Sequence, residues 1–160
     1  MAIANTTSTV TVNAAFLKEI KDVNQDLWHI VAELREVTRN PYLVRSRRYQ
    51  FVGMLEDLRD HLALHFALEE AYGYFDEPLK VDPRLSSRAK FLRSQHRELY
   101  LVACDLIDHA MQLHDGHNVR ALARRLVAEY ADFDTRLRRH EQAENELIQQ
   151  EWDEDIGVGD

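Results

Sequence analysis

Apolar side chains recur at a helical period through four long stretches of this chain, and few residues that break helices interrupt them. The stretches cover residues 13–38, 46–75, 86–113 and 118–150. The 160 residues include only 5 glycines and 3 prolines, which disfavours a β fold with many tight turns. Four long helices joined by short loops predict an all-α fold, an up-down-up-down four-helix bundle.

The length and composition are typical of one globular domain. We expect the bundle over residues 13–152, a flexible N-terminal tail over 1–12 and an acidic C-terminal tail over 153–160. The net charge of −8 argues against nucleic-acid binding. No apolar run reaches the roughly 18–20 residues of a membrane span, and no secretion signal is evident. With a single cysteine, Cys104, the chain is expected to be cytoplasmic and not associated with a membrane.

Two His-Glu pairs with the same spacing stand on the second and fourth predicted helices. His65 precedes Glu69 by four residues, and His140 precedes Glu144 by four. One helical turn is about 3.6 residues, so each histidine lies above its glutamate on one face. A projection at about 100° per residue places both pairs on the apolar stripe, and His96 falls on the stripe of the third helix. Inward-pointing sets of this kind form metal centres in helix bundles.

The ligands on three helices are also predicted to lie at one level. Glu69 lies 13 residues before a turn near residue 82, and His96 lies 14 after it. His96 lies 22 residues before a turn near residue 118, and His140 lies 22 after it. Since a helix rises about 1.5 Å per residue, these side chains share one layer of the bundle.

This layer of histidines and glutamates favours a metal site over simple packing. A buried, ionised carboxylate is costly unless it is paired or metal-bound. Imidazole and carboxylate together suit iron, manganese or zinc rather than calcium. Two carboxylates on opposite helices can each bridge two ions, which favours a dinuclear centre. The alternative is a metal-free network in which each histidine donates a hydrogen bond to a glutamate.

His61 is the further candidate ligand, because it stands four residues before His65 and both could bind one ion. It could equally be a histidine at the core boundary or a donor to a ligand. On the first helix, His29 projects toward solvent. Asn24 projects inward there, as a weak oxygen ligand, a group that orients water, or a hydrogen-bond partner of a glutamate.

Three neighbours of the predicted ligands have less defined roles. Tyr100 stands one turn after His96, either at the edge of the site or at the core boundary. Glu70 and Glu141 are expected to point outward, although either could hydrogen-bond to a ligand.

The segments HFALEEAYGYF from His65, SQHREL around His96 and HEQAENELI from His140 resemble the hemerythrin-like, or HHE cation-binding, domain. The resemblance extends over about residues 14–150. It implies a non-haem di-iron centre in a four-helix bundle. Family members bind oxygen, respond to oxygen, iron or redox state, or act on nitric oxide or peroxide. The resemblance also implies that the three histidines are terminal ligands and that Glu69 and Glu144 are bridges.

Three positions depart from the pattern of the oxygen carriers in this family. Asn24 replaces the inward histidine of the first helix, and Tyr100 replaces the second histidine of the third helix. The fourth helix carries His-x3-Glu in place of His-x4-Asp. Fewer histidines leave open coordination positions, which favour reactivity or weaker binding over reversible oxygen carriage.

Three functions are therefore considered. The first is a di-iron protein that binds or senses oxygen, a related small molecule, or redox or iron state. The second is an oxidoreductase acting on peroxide or nitric oxide, with Tyr100 as a redox or proton partner. The third is a metal-poor helical module that binds a protein. The inward polar set favours the first two. Because 160 residues leave no room for an output domain, we expect a stand-alone binder or enzyme, or signalling through a partner.

Overall fold

The computed structural model describes the backbone of residues 6–71 and 83–157 and the side chains of residues 22–71 and 83–150. These residues form an all-helical fold, as the sequence predicted, and no strand occurs among them. The helices are α1 (Thr6–Val37), α2 (Pro41–Ser46), α3 (Arg48–Ala71), α4 (Pro83–Met111) and α5 (Val119–Gly157), with a 3-10 turn at Gln112–Asp115. The four long helices correspond to the four amphipathic stretches.

The helices at the two ends are longer than the sequence predicted. α1 begins at Thr6 instead of residue 13, and α5 continues to Gly157 instead of residue 150. Neither extension contains an interior glycine or a proline, so nothing in the sequence stops the helix. Residues 1–5 of the predicted N-terminal tail and residues 158–160 of the predicted C-terminal tail lie outside the described residues. The predicted helical segment 72–75 and the loop after it also lie outside the described residues.

The short helix α2 was not predicted, because it falls almost entirely in the loop expected between the predicted helices 13–38 and 46–75. Asn40 has an extended backbone (φ −144°), and its Oδ1 accepts a hydrogen bond from the Tyr42 N–H at 2.9 Å. Pro41 occupies the first turn, where the missing N–H costs nothing. The same dipeptide therefore ends α1 and begins α2, and α3 starts at Arg48.

The long helices pack in sequence order, α1 against α3, α3 against α4 and α4 against α5, and α2 packs against α5. α4 and α5 run antiparallel. His109 of α4 contacts Glu129 of α5, His96 contacts Glu144, and Arg88 contacts Gln150. As one residue number rises along the helix, its partner's number falls.

Within residues 22–71 and 83–150, buried apolar side chains form two separate clusters. The larger cluster contains residues from all five helices, including Leu34, Leu58 and Phe133. The smaller consists of Leu85, Ala89, Leu92 and Leu147 from α4 and α5. Along both helices, the buried polar residues His96, His140 and Glu144 stand between positions of the two clusters. A polar layer therefore separates two parts of the apolar interior.

Among the side chains that the structure describes, two polar contacts join α1 to α5. The Tyr130 hydroxyl donates a hydrogen bond to the Val31 carbonyl at 2.9 Å. Arg35 donates two hydrogen bonds, of 2.6 and 2.8 Å, to the buried carboxylate of Asp134. Such a bidentate pair fixes relative helix position as well as contributing energy. Burial and the Asp134 charge raise the Tyr130 pKa, so its hydroxyl stays a donor.

Within the described parts of the chain, none of the helices combines the length and the hydropathy needed to cross a bilayer.

Phe133→Ala tests the contribution of the larger cluster. Phe133 is fully buried, so its truncation should lower the free energy of unfolding by about 3–5 kcal/mol. Phe91→Ala removes the same ring from a site that is 63% exposed and should change it by only about 0.5 kcal/mol. Urea unfolding monitored by circular dichroism measures both values. Equal losses in the two variants would contradict the packing described here.

Candidate metal centre

Five of the six predicted ligands are buried close together in the polar layer. His65 and Glu69 come from α3, His96 from α4, and His140 and Glu144 from α5, and none is more than 5% exposed. Leu62, Leu99 and Leu137, at apolar positions nearby on the same helices, are also buried. The helical period that buries those leucines therefore turns these polar side chains inward as well.

Three atoms converge at the α3 side of the layer. The Nε2 of His65 lies 2.7 Å from Glu69 Oε1 and 2.8 Å from Glu141 Oε1. Glu141 was expected to point outward or to hydrogen-bond to a ligand. Its side chain is only 13% exposed and pairs with His65, so the outward orientation is wrong and the second alternative holds. Glu141 stands one residue after His140, so it projects from a different side of α5. The packed structure brings α3, with His65, to that side.

A second group of atoms converges between α4 and α5. The Nε2 of His96 lies 3.0 Å from Glu144 Oε1 and 3.3 Å from Glu69 Oε2. The Nε2 of His140 lies 2.9 Å from the same Glu144 oxygen. Glu69 and Glu144 therefore each approach histidine nitrogens on two different helices.

Two of the histidines are oriented by hydrogen bonds from their outer nitrogens. His140 Nδ1 donates to Gln95 Oε1 at 2.8 Å, and His96 Nδ1 donates to Glu70 Oε1 at 3.0 Å. A histidine that donates through Nδ1 can present the Nε2 lone pair to a metal ion. Glu70 therefore hydrogen-bonds to a predicted ligand, which the sequence had left open as an alternative. The hydrogen bond from His140 to Gln95 was not predicted.

Phe66 fixes the position of the rings from the apolar side. It stacks on His96 with ring centroids 4.1 Å apart and planes 6° apart. It also meets the edge of His140 at 5.7 Å. Phe66 was assigned no role from the sequence, because a single apolar residue beside His65 does not indicate which ring it will stack on.

The donor atoms form two sets that could each hold a metal ion. One set is Glu69, His96, His140 and Glu144, and the other is His65, Glu69, Glu141 and Glu144; within each set, the ligand atoms lie within 4.8 Å of one another. Glu69 and Glu144 belong to both sets. Two adjacent cation positions with two carboxylates in common are therefore available.

Two buried atoms in this cluster show that its internal hydrogen bonds are incomplete. Among the described residues, His140 Nε2 and Glu69 Oε2 have no hydrogen-bond partner, although each lies near a group that could pair with it. Buried polar atoms without partners are uncommon and costly. A cation placed among the carboxylates and the inward nitrogens satisfies both, so the residues fit a metal ion.

In the metal-free cluster, protons on the histidines supply the positive charge that a metal ion would otherwise supply. Burial acts to lower the His65 pKa, but hydrogen bonds with Glu141 and Glu69 outweigh it and raise that pKa to about 10. Glu144 and Glu69 likewise raise the His96 pKa to about 9 against the effect of burial. The two histidines lower the Glu69 pKa to about 2 although its burial acts to raise it. The metal-free cluster is therefore held together by imidazolium-carboxylate pairs.

The structure does not bring the sixth predicted ligand, His61, into either set. Its Nδ1 donates to the carbonyl of Asp57 on its own helix at 2.8 Å. His29 is exposed, as predicted, and lies 3.3 Å from Glu33. Asn24 is half-buried, and its Oδ1 is buried without a hydrogen-bond partner among the described residues.

Tyr100 is also half-buried and belongs to neither set. A surface cleft of about 260 Å³ between α4 and α5 is lined by Gln95 and His140, so it reaches an edge of the histidine-glutamate cluster. Arg136 and Arg139 line the same cleft.

Searches of this chain against protein-family models, curated proteins and solved structures give no match.

The metal-free protein should be most stable between about pH 4.5 and pH 6.5. The stability from protonated His65 and His96 is complete below their usual pKa of 6.5 and is lost as pH rises toward about 9 to 10. The stability from ionised Glu69 is present above its usual pKa of 4.5 and is lost as pH falls toward about 2. Urea unfolding in EDTA from about pH 3 to about pH 10 measures the profile. A steady rise in stability from about pH 6.5 to about pH 9 would contradict the protonated pairs.

Proposed function

We propose that this chain is a hemerythrin-like, non-haem di-iron protein that binds or senses oxygen or a related small molecule. One observation carries the proposal. Two four-residue ligand sets share Glu69 and Glu144 within one buried layer. Carboxylates common to two cation positions are the means by which helix bundles hold two metal ions side by side.

The proposal includes an up-down-up-down arrangement of α1, α3, α4 and α5. Their packing in sequence order and the antiparallel α4–α5 pair support it. In that arrangement, α2 is a short addition in the connection between the first two long helices.

In the proposed site, His65 and Glu141 would hold one ion, and His96 and His140 would hold the other. Glu69 and Glu144 would be shared between the two. Three imidazoles and three carboxylates form a mixed nitrogen and oxygen set, which suits iron, with manganese or zinc as alternatives, and does not suit calcium. The outer bonds to Gln95 and Glu70 support this assignment, because ligand histidines in metalloproteins are usually oriented in this way.

When bound, a pair of iron ions supplies redox chemistry and open positions for a small molecule. Six side chains are few for two ions that each accept about six ligands, so the protein itself leaves room at the centre. The chain's own contribution is to orient the imidazoles, to hold negative charge between the ions, and to limit water through the apolar side chains on either side.

The alternative function is an oxidoreductase that acts on peroxide or nitric oxide with the same centre. The cleft beside Gln95 and His140 favours it, since a reactant could reach the edge of the cluster from the α4–α5 surface. The third function, a metal-poor interaction module, has less support because it leaves His140 Nε2 and Glu69 Oε2 unsatisfied.

Metal analysis tests the centre directly. Protein purified from iron-supplied medium should contain about two iron ions per chain and show charge-transfer absorption. His140→Ala should lower the metal content, because it removes a ligand from the α4–α5 set. His29→Ala should leave it unchanged, because His29 is exposed and pairs with Glu33. A wild-type protein that stays free of iron, manganese and zinc would refute the proposal.

Glu141 gives a sharper test, because it belongs only to the His65 set. Glu141→Gln should weaken binding of one ion by at least about tenfold and leave the other in place, because even the loss of a residue that only orients a ligand costs about this much. Glu146→Gln is the matched control, as this glutamate is exposed on the same helix and contacts Gln142. Competition with a chelator measures each ion's affinity. Equal weakening of both ions by Glu141→Gln would contradict two distinct positions.

A further inference from the structure

A second cleft lies at the junction of α2 and α5. It has a volume of about 210 Å³, and we call it the α2–α5 cleft; it is lined by Asn40, Pro41, Tyr42, Arg45, Arg120 and Arg124. Asn40 is the N-cap of α2, Pro41 and Tyr42 lie in its first turn and Arg45 in its last, and Arg120 and Arg124 lie near the start of α5. None of these residues belongs to the candidate metal centre.

The α2–α5 cleft is positively charged on a protein whose net charge is −8. Three arginines line it and no carboxylate does. Among the described residues, no ion pair joins Arg45, Arg120 or Arg124 to an acidic side chain. The nearby Arg125 is different, since it pairs with Glu129 at 2.6 Å.

The positions of Arg120 and Arg124 are unfavourable for the helix that carries them. Arg120 lies in the first turn of α5, where the helix dipole favours negative charge and no acidic residue is present, and Arg124 lies in the second turn. They stand four residues apart, the spacing at which like charges on a helix repel. An anion bound in the cleft would remove both penalties.

Tyr42 adds a surface that positions the third guanidinium. Its ring is 61% exposed, and the Arg45 guanidinium carbon lies 5.6 Å from the ring centroid. An arginine held against an aromatic face keeps its N–H edges available for an anion. The Asn40 side chain is fixed beside it by the hydrogen bond that caps α2.

We infer that the α2–α5 cleft binds a compact oxyanion with more than one negative charge, of the diphosphate class. Guanidinium groups pair with phosphoryl oxygens through two parallel hydrogen bonds, and three such groups suit more than a single charge. The cleft is smaller than the roughly 300–1,000 Å³ of pockets that hold drug-sized ligands, so a compact anion fits better than an extended one. A long polyanion would also meet the acidic remainder of the surface.

Pyrophosphate titrated into the full chain at low ionic strength tests the inference, with binding measured by calorimetry and by thermal melting. The wild type should bind pyrophosphate and melt at a higher temperature in its presence. The double variant Arg120→Gln, Arg124→Gln should bind at least about tenfold more weakly. Without any anion it should melt at or above the wild-type temperature, because the repulsion is gone.

Arg88→Gln, Lys90→Gln is the matched control. This variant also removes two positive charges, here near the start of α4, and both residues lie outside the α2–α5 cleft. The control should bind pyrophosphate like the wild type. The inference fails if both double variants weaken binding equally, if the wild type does not bind at millimolar concentration, or if a single-stranded oligonucleotide or an acidic peptide binds more tightly than pyrophosphate.

Discussion

The buried charge of two glutamates is the constraint on which the rest of this structure depends. Glu69 and Glu144 lie between two apolar clusters, where an uncompensated carboxylate costs far more than at the surface. Only positive charge at short range offsets that cost. The three histidines His65, His96 and His140 bring their Nε2 atoms to within 3.3 Å of these carboxylates. The helices must therefore keep one relative level, because a shift of one turn, about 5.4 Å, would separate the opposite charges.

The surroundings of the cluster restrict it to that geometry. Gln95 and Glu70 bind the outer nitrogens of His140 and His96, so neither ring can rotate without losing a hydrogen bond. Phe66 stacks on one ring and meets the edge of the other. Away from this layer, the Arg35–Asp134 pair and the larger apolar cluster join α1 to α5. A site held from several sides has little freedom to rearrange, and such preorganisation favours binding of a cation whose coordination it matches.

The sequence predicted the parts of this structure that follow from periodicity along one helix. Spacing and level placed His65, Glu69 and His96 inward in one layer, since those positions depend only on turns and rise. It missed Glu141, because that side chain reaches His65 across the interior, and such a contact depends on how two helices pack. It also missed α2, because Asn40 can cap a new helix as readily as it follows an old one. His61 was predicted as a ligand, but its ring hydrogen-bonds to the backbone of its own helix. A helical projection gives the direction of a residue and not the conformation of its side chain, so it could not reveal this bond.

The α2–α5 cleft and the histidine-glutamate layer each place charge where the surrounding fold disfavours it. In the layer, carboxylates occupy an apolar interior, and in the α2–α5 cleft, Arg120 and Arg124 occupy a helix start that disfavours cations. In the empty protein, the layer depends on protonated histidines to offset its carboxylates, and the cleft leaves like charges side by side. Under the two proposals, a ligand of opposite charge would take over that compensation at each site. A ligand that binds only the folded state then adds stability in proportion to the logarithm of its concentration. Under the two proposals, the free energy of unfolding of this chain would depend on a metal ion in the layer and on an oxyanion in the cleft. Because separate residues form the two sites, each sensitivity can be removed without the other.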